Sequence, residues 1–203
     1  MNLTKLFETQ RVLDERIMEK HPELRGQNNL DWKILALQVE LGECANEWRG
    51  FKKWSNNQEP TTHFVHFCVE CNGNGIDGIE GYTYPCMACG ATGIDRVSNP
   101  LLEEYVVCLH FILSIGLELD FTDLCINHSS VKRLPEQNDS MLNFSTVFSF
   151  IDQLRRAKSF HWYDSLFERF VVLGFSLEFT WEQVEEAYYA KNKINHERQE
   201  SGY

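Results

Sequence analysis

Three sets of residues in this 203-residue chain have types and spacings that could do chemistry. The first is acidic. Glu40 and Glu43 stand one helical turn apart among Ile34, Leu35, Leu37, Val39 and Leu41, and Glu103 and Glu104 open a second apolar run that continues through Tyr105 to Leu113. So framed, these carboxylates read as entering a helical bundle. Unpaired buried carboxylates are costly, and a hard divalent cation such as Mg2+ is the usual remedy. Facing helices that each bring glutamates inward make a site able to hold a polyphosphate and to acidify a bound water.

The second set is thiol. Cys68-Val-Glu-Cys71 and Cys86-Met-Ala-Cys89 are two CxxC turns separated by fourteen residues, each followed by residues rich in glycine that let backbone amides fold around sulfur. Doubled CxxC motifs of this kind are a closed tetrahedral site for one structural Zn2+, in preference to a redox-active dithiol pair, with His63 and His66 as bystanders. The third set is polar. Lys191, Asn195 and Arg198 are four and three residues apart, so on a helix they share one face, offering an ammonium, an amide and a guanidinium to phosphates and a sugar.

These groups need elements to carry them. Leu3, Leu6, Phe7, Leu13 and Ile17 recur at helical spacing, and a second helix is predicted from about Leu30 to Phe51. Further helices are predicted over Leu101 to Leu119, Ser145 to Lys158, His161 to Leu173 and Trp181 to Gln199, with a Ser/Asn/Asp-rich loop at Asn127 to Asn143. Between the second and third helices the sequence turns glycine-rich, loses helical periodicity and has Pro60, Pro85 and Pro100 within it or at its rims. The expected architecture is mainly α: a bundle formed by residues 1–58 and 99–203, interrupted by a zinc-binding insertion at 59–98. A unit of about forty residues is too small to fold without its metal.

The composition, 43% apolar and 24% charged, is that of an ordinary globular domain. A net charge of -11 speaks against a nucleic-acid coat or a membrane-surface role, and against a zinc-ribbon adaptor for nucleic acid. No apolar run is expected to reach the ~18 residues of a membrane span, and the first residues lack the basic start and apolar centre of a secretory signal, so a cytoplasmic protein is expected. Seven cysteines, four in CxxC pairs, suit a reducing compartment.

In this order the pieces resemble the dimeric all-α dUTPases, a branch of the MazG-like nucleoside triphosphate pyrophosphohydrolases of bacteria and their phages. The resemblance rests on Leu6-Phe-Glu-Thr-Gln-Arg-Val-Leu-Asp14, on Ala36 through Glu43 with Asn46 through Ser55, on Leu102-Glu-Glu-Tyr105 with Leu109-His-Phe111, and on Lys191, Asn195, Arg198, Gln199, Gly202 and Tyr203. It covers everything except the cysteine-rich insertion, whose turns are similar to those of DnaJ-type cochaperones. The resemblance implies that Glu40, Glu43 and Glu104 hold two or three Mg2+ ions, and that water attacks the α-phosphorus of dUTP with Glu43 as general base, giving dUMP and pyrophosphate. It also implies that Gln10 and Asp14 read the uracil and that Trp54 packs on the nucleoside. Lys191, Asn195, Arg198 and Tyr203 close over the phosphates, and the protein is a homodimer of bacterial or phage origin. One position departs: where the family's second acidic motif has aspartate, this chain has Val107. That leaves two alternatives in play. One is a nucleotide-binding protein of impaired catalysis that acts through a regulatory protein partner; the other is a pyrophosphohydrolase for a different pyrimidine deoxynucleotide, since the Gln10 amide can turn either edge to a base.

Overall fold

The structure, a computed structural model, describes residues 2–79, 82–124 and 139–202. Among these the chain is mainly α, with six helices: α1 Leu3–Lys20, α2 Leu30–Trp48, α3 Pro100–Glu118, α4 Ser140–Ala157, α5 Phe160–Ser176 and α6 Trp181–Ser201. Four short strands, β1 Phe64–Phe67, β2 Ile76–Ile79, β3 Tyr82–Pro85 and β4 Ile94–Ser98, fall in the glycine-rich interval between α2 and α3.

The helix ends follow from local chemistry. Pro100 occupies the first turn of α3, and the Asn99 side chain accepts the Leu102 amide, satisfying a donor that the helix itself cannot. Asp139 caps α4 in the same way, so Ser140 to Asn143, expected as loop, are helical; the rest of that expected loop, from 127 to 138, lies outside the described residues. Thr180 and Gln183 form a reciprocal capping box at the start of α6. At the other end of α2, Arg49 takes a left-handed conformation with φ 62°. The helix therefore stops at Trp48, three residues short of the expected Phe51, and the chain turns away.

Helix α3 lies at the centre, packed against α1, α2 and α6, while α4 packs on α5 and α2. Its buried residues run from Leu101 and Tyr105 through Ile115 and face almost every direction, as a core helix must. By length and hydropathy α3 is apolar enough to cross a membrane, which corrects the expectation that no run would be, but most of it is buried within the bundle. Two tyrosines stitch α3 to α5 reciprocally: the Tyr105 hydroxyl donates to Phe170 O at 2.8 Å, and the Tyr163 hydroxyl donates to Ile112 O at 2.9 Å. Each hydroxyl rests over a glycine, Gly174 and Gly116 respectively, where a Cβ would collide with it.

Strands β1 and β4 pair antiparallel from Phe64↔Ser98 to Phe67↔Ile94, making a ribbon rooted at the start of α3. Beyond Phe67 and Ile94 come the two CxxC turns and the smaller β2–β3 hairpin.

Candidate active site and thiol cluster

One cleft of about 550 Å³ gathers most of the residues singled out by sequence. Glu40 and Glu43 reach it from α2, Glu104 and Val107 from α3, Gln10 and Asp14 from α1, and Lys191, Asn195 and Arg198 from α6. Carboxylate oxygens of Glu40, Glu43 and Glu104 lie within 4.8 Å of one another, close enough to share a cation. Burial, then the neighbouring charges of Glu43 and Glu104, push the Glu40 carboxyl up to about 7, against the pull of the Lys191 ammonium. Burial also raises Glu104, with Lys191 again opposing and Glu43 adding to it. This is a set of like charges that a divalent cation would relieve. Glu103 stands apart, its carboxylate 3.6 Å from Arg96 of β4.

The glutamates do not enter the core as expected. Glu40 and Glu104 are half-buried and Glu43 is exposed. Leu35 and Val39, read as part of their apolar enclosure, are 61% and 51% exposed, because Leu30, Ile34, Leu37, Leu41 and Cys44 already fill the face that α2 turns to the bundle. The carboxylates form a wall of an open cleft. Trp54 is 78% exposed and packs edge-on against Phe51 outside the cleft, the α2 stop at Arg49 having carried the chain away. Tyr203 lies outside the described residues.

The cleft is also lined by a hydrogen-bonded network that involves side chains to which sequence reasoning assigned no role. Gln10 is 3% exposed; its Nε2 donates to Asp14 Oδ1 at 2.7 Å, and its Oε1 faces His110 Nδ1 at 2.8 Å and accepts from the Tyr188 hydroxyl at 2.9 Å. The Ser114 hydroxyl donates to Asp14 Oδ2 at 2.6 Å, and Lys33 Nζ stands 3.9 Å from that oxygen and 2.8 Å from Glu118 Oε2. Burial raises the Asp14 carboxyl, while Ser114, Lys33 and Gln10 pull it back. Burial, with Lys191 adding, pushes the His110 imidazole down to about 3, so it is neutral. The idea that the Gln10 amide could turn either edge outward does not hold in this frame: with the amide reversed, its oxygen would meet Asp14 Oδ1 across 2.7 Å with no hydrogen between them. Lys33 was discoverable in sequence as the one cation inside the apolar run Leu30 to Leu41. Tyr188 was not, since it reads like any core aromatic.

The thiol cluster is built locally. Sulfurs of Cys68, Cys71, Cys86 and Cys89 all lie within 4.8 Å, with Cys68 to Cys86 at 3.9 Å and Cys71 to Cys89 at 3.7 Å. Four sulfurs at Zn–S bonds of ~2.3 Å in a tetrahedron stand about 3.8 Å apart, so these cysteines could hold such an ion without moving far. The two turns repeat each other. The amides of Gly75 and Gly93 donate to Cys71 Sγ and Cys89 Sγ, both at 3.2 Å, and the amides of Gly73 and Ala91 close onto Cys68 O and Cys86 O. Ala91 holds φ 66° where its counterpart Gly73 has 80°, so the departure from glycine in the second turn is accommodated at the cost of a strained backbone. Gly75 and Gly93 are not replaceable in this way: a Cβ on either would strike the carbonyl of the opposite turn.

A family model described as dUTPase matches residues 2–67 and 94–203 and passes over the stretch that contains the four clustered cysteines. No curated protein and no solved structure matches the chain.

Proposed function

Because the chain belongs to the dUTPase family, we propose that it hydrolyses dUTP to dUMP and pyrophosphate in a Mg2+-dependent reaction. The observation that carries this reading is the gathering of groups in one cleft: three converging carboxylates, a polar and cationic stripe on α6 whose Lys191 acts on Glu40 and Glu104, and a largely buried amide–carboxylate pair. Glu40, Glu43 and Glu104 are the ligands for two or three Mg2+ ions. Bound there, Mg2+ would neutralise phosphate charge and make an activated water available near neutral pH. Glu43, the most exposed of the three, is our general base, its exposure supporting contact with a water entering from solvent. Arg198 and Lys191 grip the triphosphate, Asn195 adds an amide donor, and Gln10 with Asp14 receives the base.

The four cysteines are assigned one structural Zn2+, which would fold the 59–98 insertion. Homodimerisation is assigned to the exposed face of α2, where Leu35 and Val39 stand one turn apart and one turn before Glu43, beside the cleft-lining Trp32. A second reading is favoured by one residue. Val107 lines the cleft one turn from Glu104 and offers no ligand, which suits a protein that binds the nucleotide without turning it over. Pyrophosphate release from each deoxynucleoside triphosphate with Mg2+, for the native chain and Val107→Asp, separates the two. We expect dUTP turnover by the native chain; silence rescued by the aspartate would establish the second reading.

A further inference from the structure

We infer that Arg16 and Glu200 form an ionic latch between α1 and the last turn of α6, and that they are positioning residues for the triphosphate because the latch holds Arg198 over the cleft. The inference rests on the dUTP-hydrolysing reading and extends it to two side chains that do not line the cleft.

Helices α1 and α6 run side by side in the same direction, since Leu6 meets Tyr188 and Arg16 meets Glu200. They are fastened to each other at two levels. The first is in the core: the buried Tyr188 stacks on His110, and its hydroxyl lies 2.9 Å from Gln10 Oε1 and 3.5 Å from Leu6 O. Beside it, Lys5 Nζ stands 4.7 Å from the centre of the Tyr189 ring. The second level is ionic. Arg16 Nη2 pairs with Glu200 Oε1, and Lys20 Nζ stands 3.9 Å from Glu200 Oε2. About 18 Å of helix separates Tyr188 from Glu200, and Lys191, Asn195 and Arg198 occupy that interval.

Core support ends before the stripe does. Helix α6 buries Trp181, Val184, Tyr188 and Asn192, and none of its described residues beyond Asn192 is buried. Ile194, the one large apolar side chain in that stretch, is 40% exposed. The last turns therefore lean on polar contacts. Two residues turn a helix by about 200°, so Glu200 faces α1 while Arg198 lines the cleft. Neighbouring charges leave the latch alone: Glu197 pairs within its own helix, 3.9 Å from Lys193, and burial together with the Arg16 charge holds His196 below the usual imidazole range, neutral at pH 7. A pair whose side chains are 33% and 58% exposed adds little to global stability. Its effect is local: it restrains the fraying end of α6, which is felt at Arg198 and hardly at Lys191, three residues from Tyr188.

The test is calorimetric binding, in Mg2+, of α,β-imido-dUTP, an analogue that resists hydrolysis at the α-phosphorus. It compares the native chain, Glu200→Gln, Arg198→Gln, the double variant of these two, and the charge exchange Arg16→Glu with Glu200→Arg. Glu200→Gln should weaken binding roughly three- to fivefold, as expected for one partly exposed ion pair. That loss should vanish when residue 198 is already glutamine, because the latch acts through Arg198, and the charge exchange should recover most of the native affinity. Amide hydrogen exchange over 193–201 in the nucleotide-free protein should rise in Glu200→Gln, with 181–192 still protected. Unchanged affinity in Glu200→Gln, the same fold loss with and without Arg198, or exchange that does not rise would each overturn the inference. A native chain that did not bind the imido nucleotide would remove the dUTP reading instead, and the exchange over 193–201 would then decide the latch by itself.

Discussion

The carboxylate cluster and the thiol cluster are both small sets of ligands drawn within 4.8 Å, yet they are assembled in opposite ways. The thiols come from two tight turns in which each CxxC is closed by its own backbone, Cys68 by the amide of Gly73 and Cys86 by that of Ala91. The carboxylates come from α2 and α3, and the groups that face them come from α1 and α6, so their separation is set by how helices pack. A locally built site of this size would need a bound ion to hold the peptide together. A site built by packing is held by the core, and its ligands stay together even though their like charges oppose it.

That contrast can be broken most sharply at Glu43. Glu43→Gln should lower turnover of dUTP by roughly a thousandfold while leaving the melting temperature near native, because removal of a general base costs chemistry and this side chain carries none of the core. Retained turnover would sink the assignment. The thiol cluster should respond in the reverse sense. Zinc chelation should increase amide exchange throughout 68–93 and leave α1, α2, α3 and α6 protected and dUTP turnover nearly unchanged; cooperative melting of the helices with the metal would show that the two regions are one folding unit. The smallest effect is in pH. A carboxyl raised from 4.5 to about 7, as Glu40 is, binds a proton more tightly folded than unfolded. The metal-free protein should therefore lose stability as pH rises from about 4.5 to about 7, Asp14 adding in the same direction, while Mg2+ affinity rises over that interval as the proton is displaced. A metal-free melting curve independent of pH there would mean that neither burial nor the neighbouring carboxylates raise Glu40 in the folded protein.

How much of this was legible in sequence follows the same division. Cys68 and Cys71, Cys86 and Cys89, and Glu40 and Glu43 are each three positions apart, and a spacing of three fixes geometry whether the element is a turn or a helix. Lys191, Asn195 and Arg198 were legible for the same reason. The helices were found from apolar spacing, but α2 ran too long on paper because only the left-handed turn at Arg49, a residue with no special liking for it, ends it. Leu35 and Val39 were misjudged since an apolar residue carries no mark of which neighbour covers it. The Gln10 network was out of reach: His110 is a hundred residues from Gln10 and Tyr188 further still, and only the packing of α1, α3 and α6 brings them together.

The pairing of Phe67 with Ile94 carries a last consequence. The chain leaves the ribbon and returns to it at facing positions, so the distance that any intervening sequence must bridge is already that of two hydrogen-bonded neighbours. Closing a longer flexible loop there adds only about 0.6 kcal/mol per doubling of its length, and a unit folded around its own metal avoids even that. From the helices' side the ribbon fixes the two ends of the insertion at facing positions, whatever lies between them.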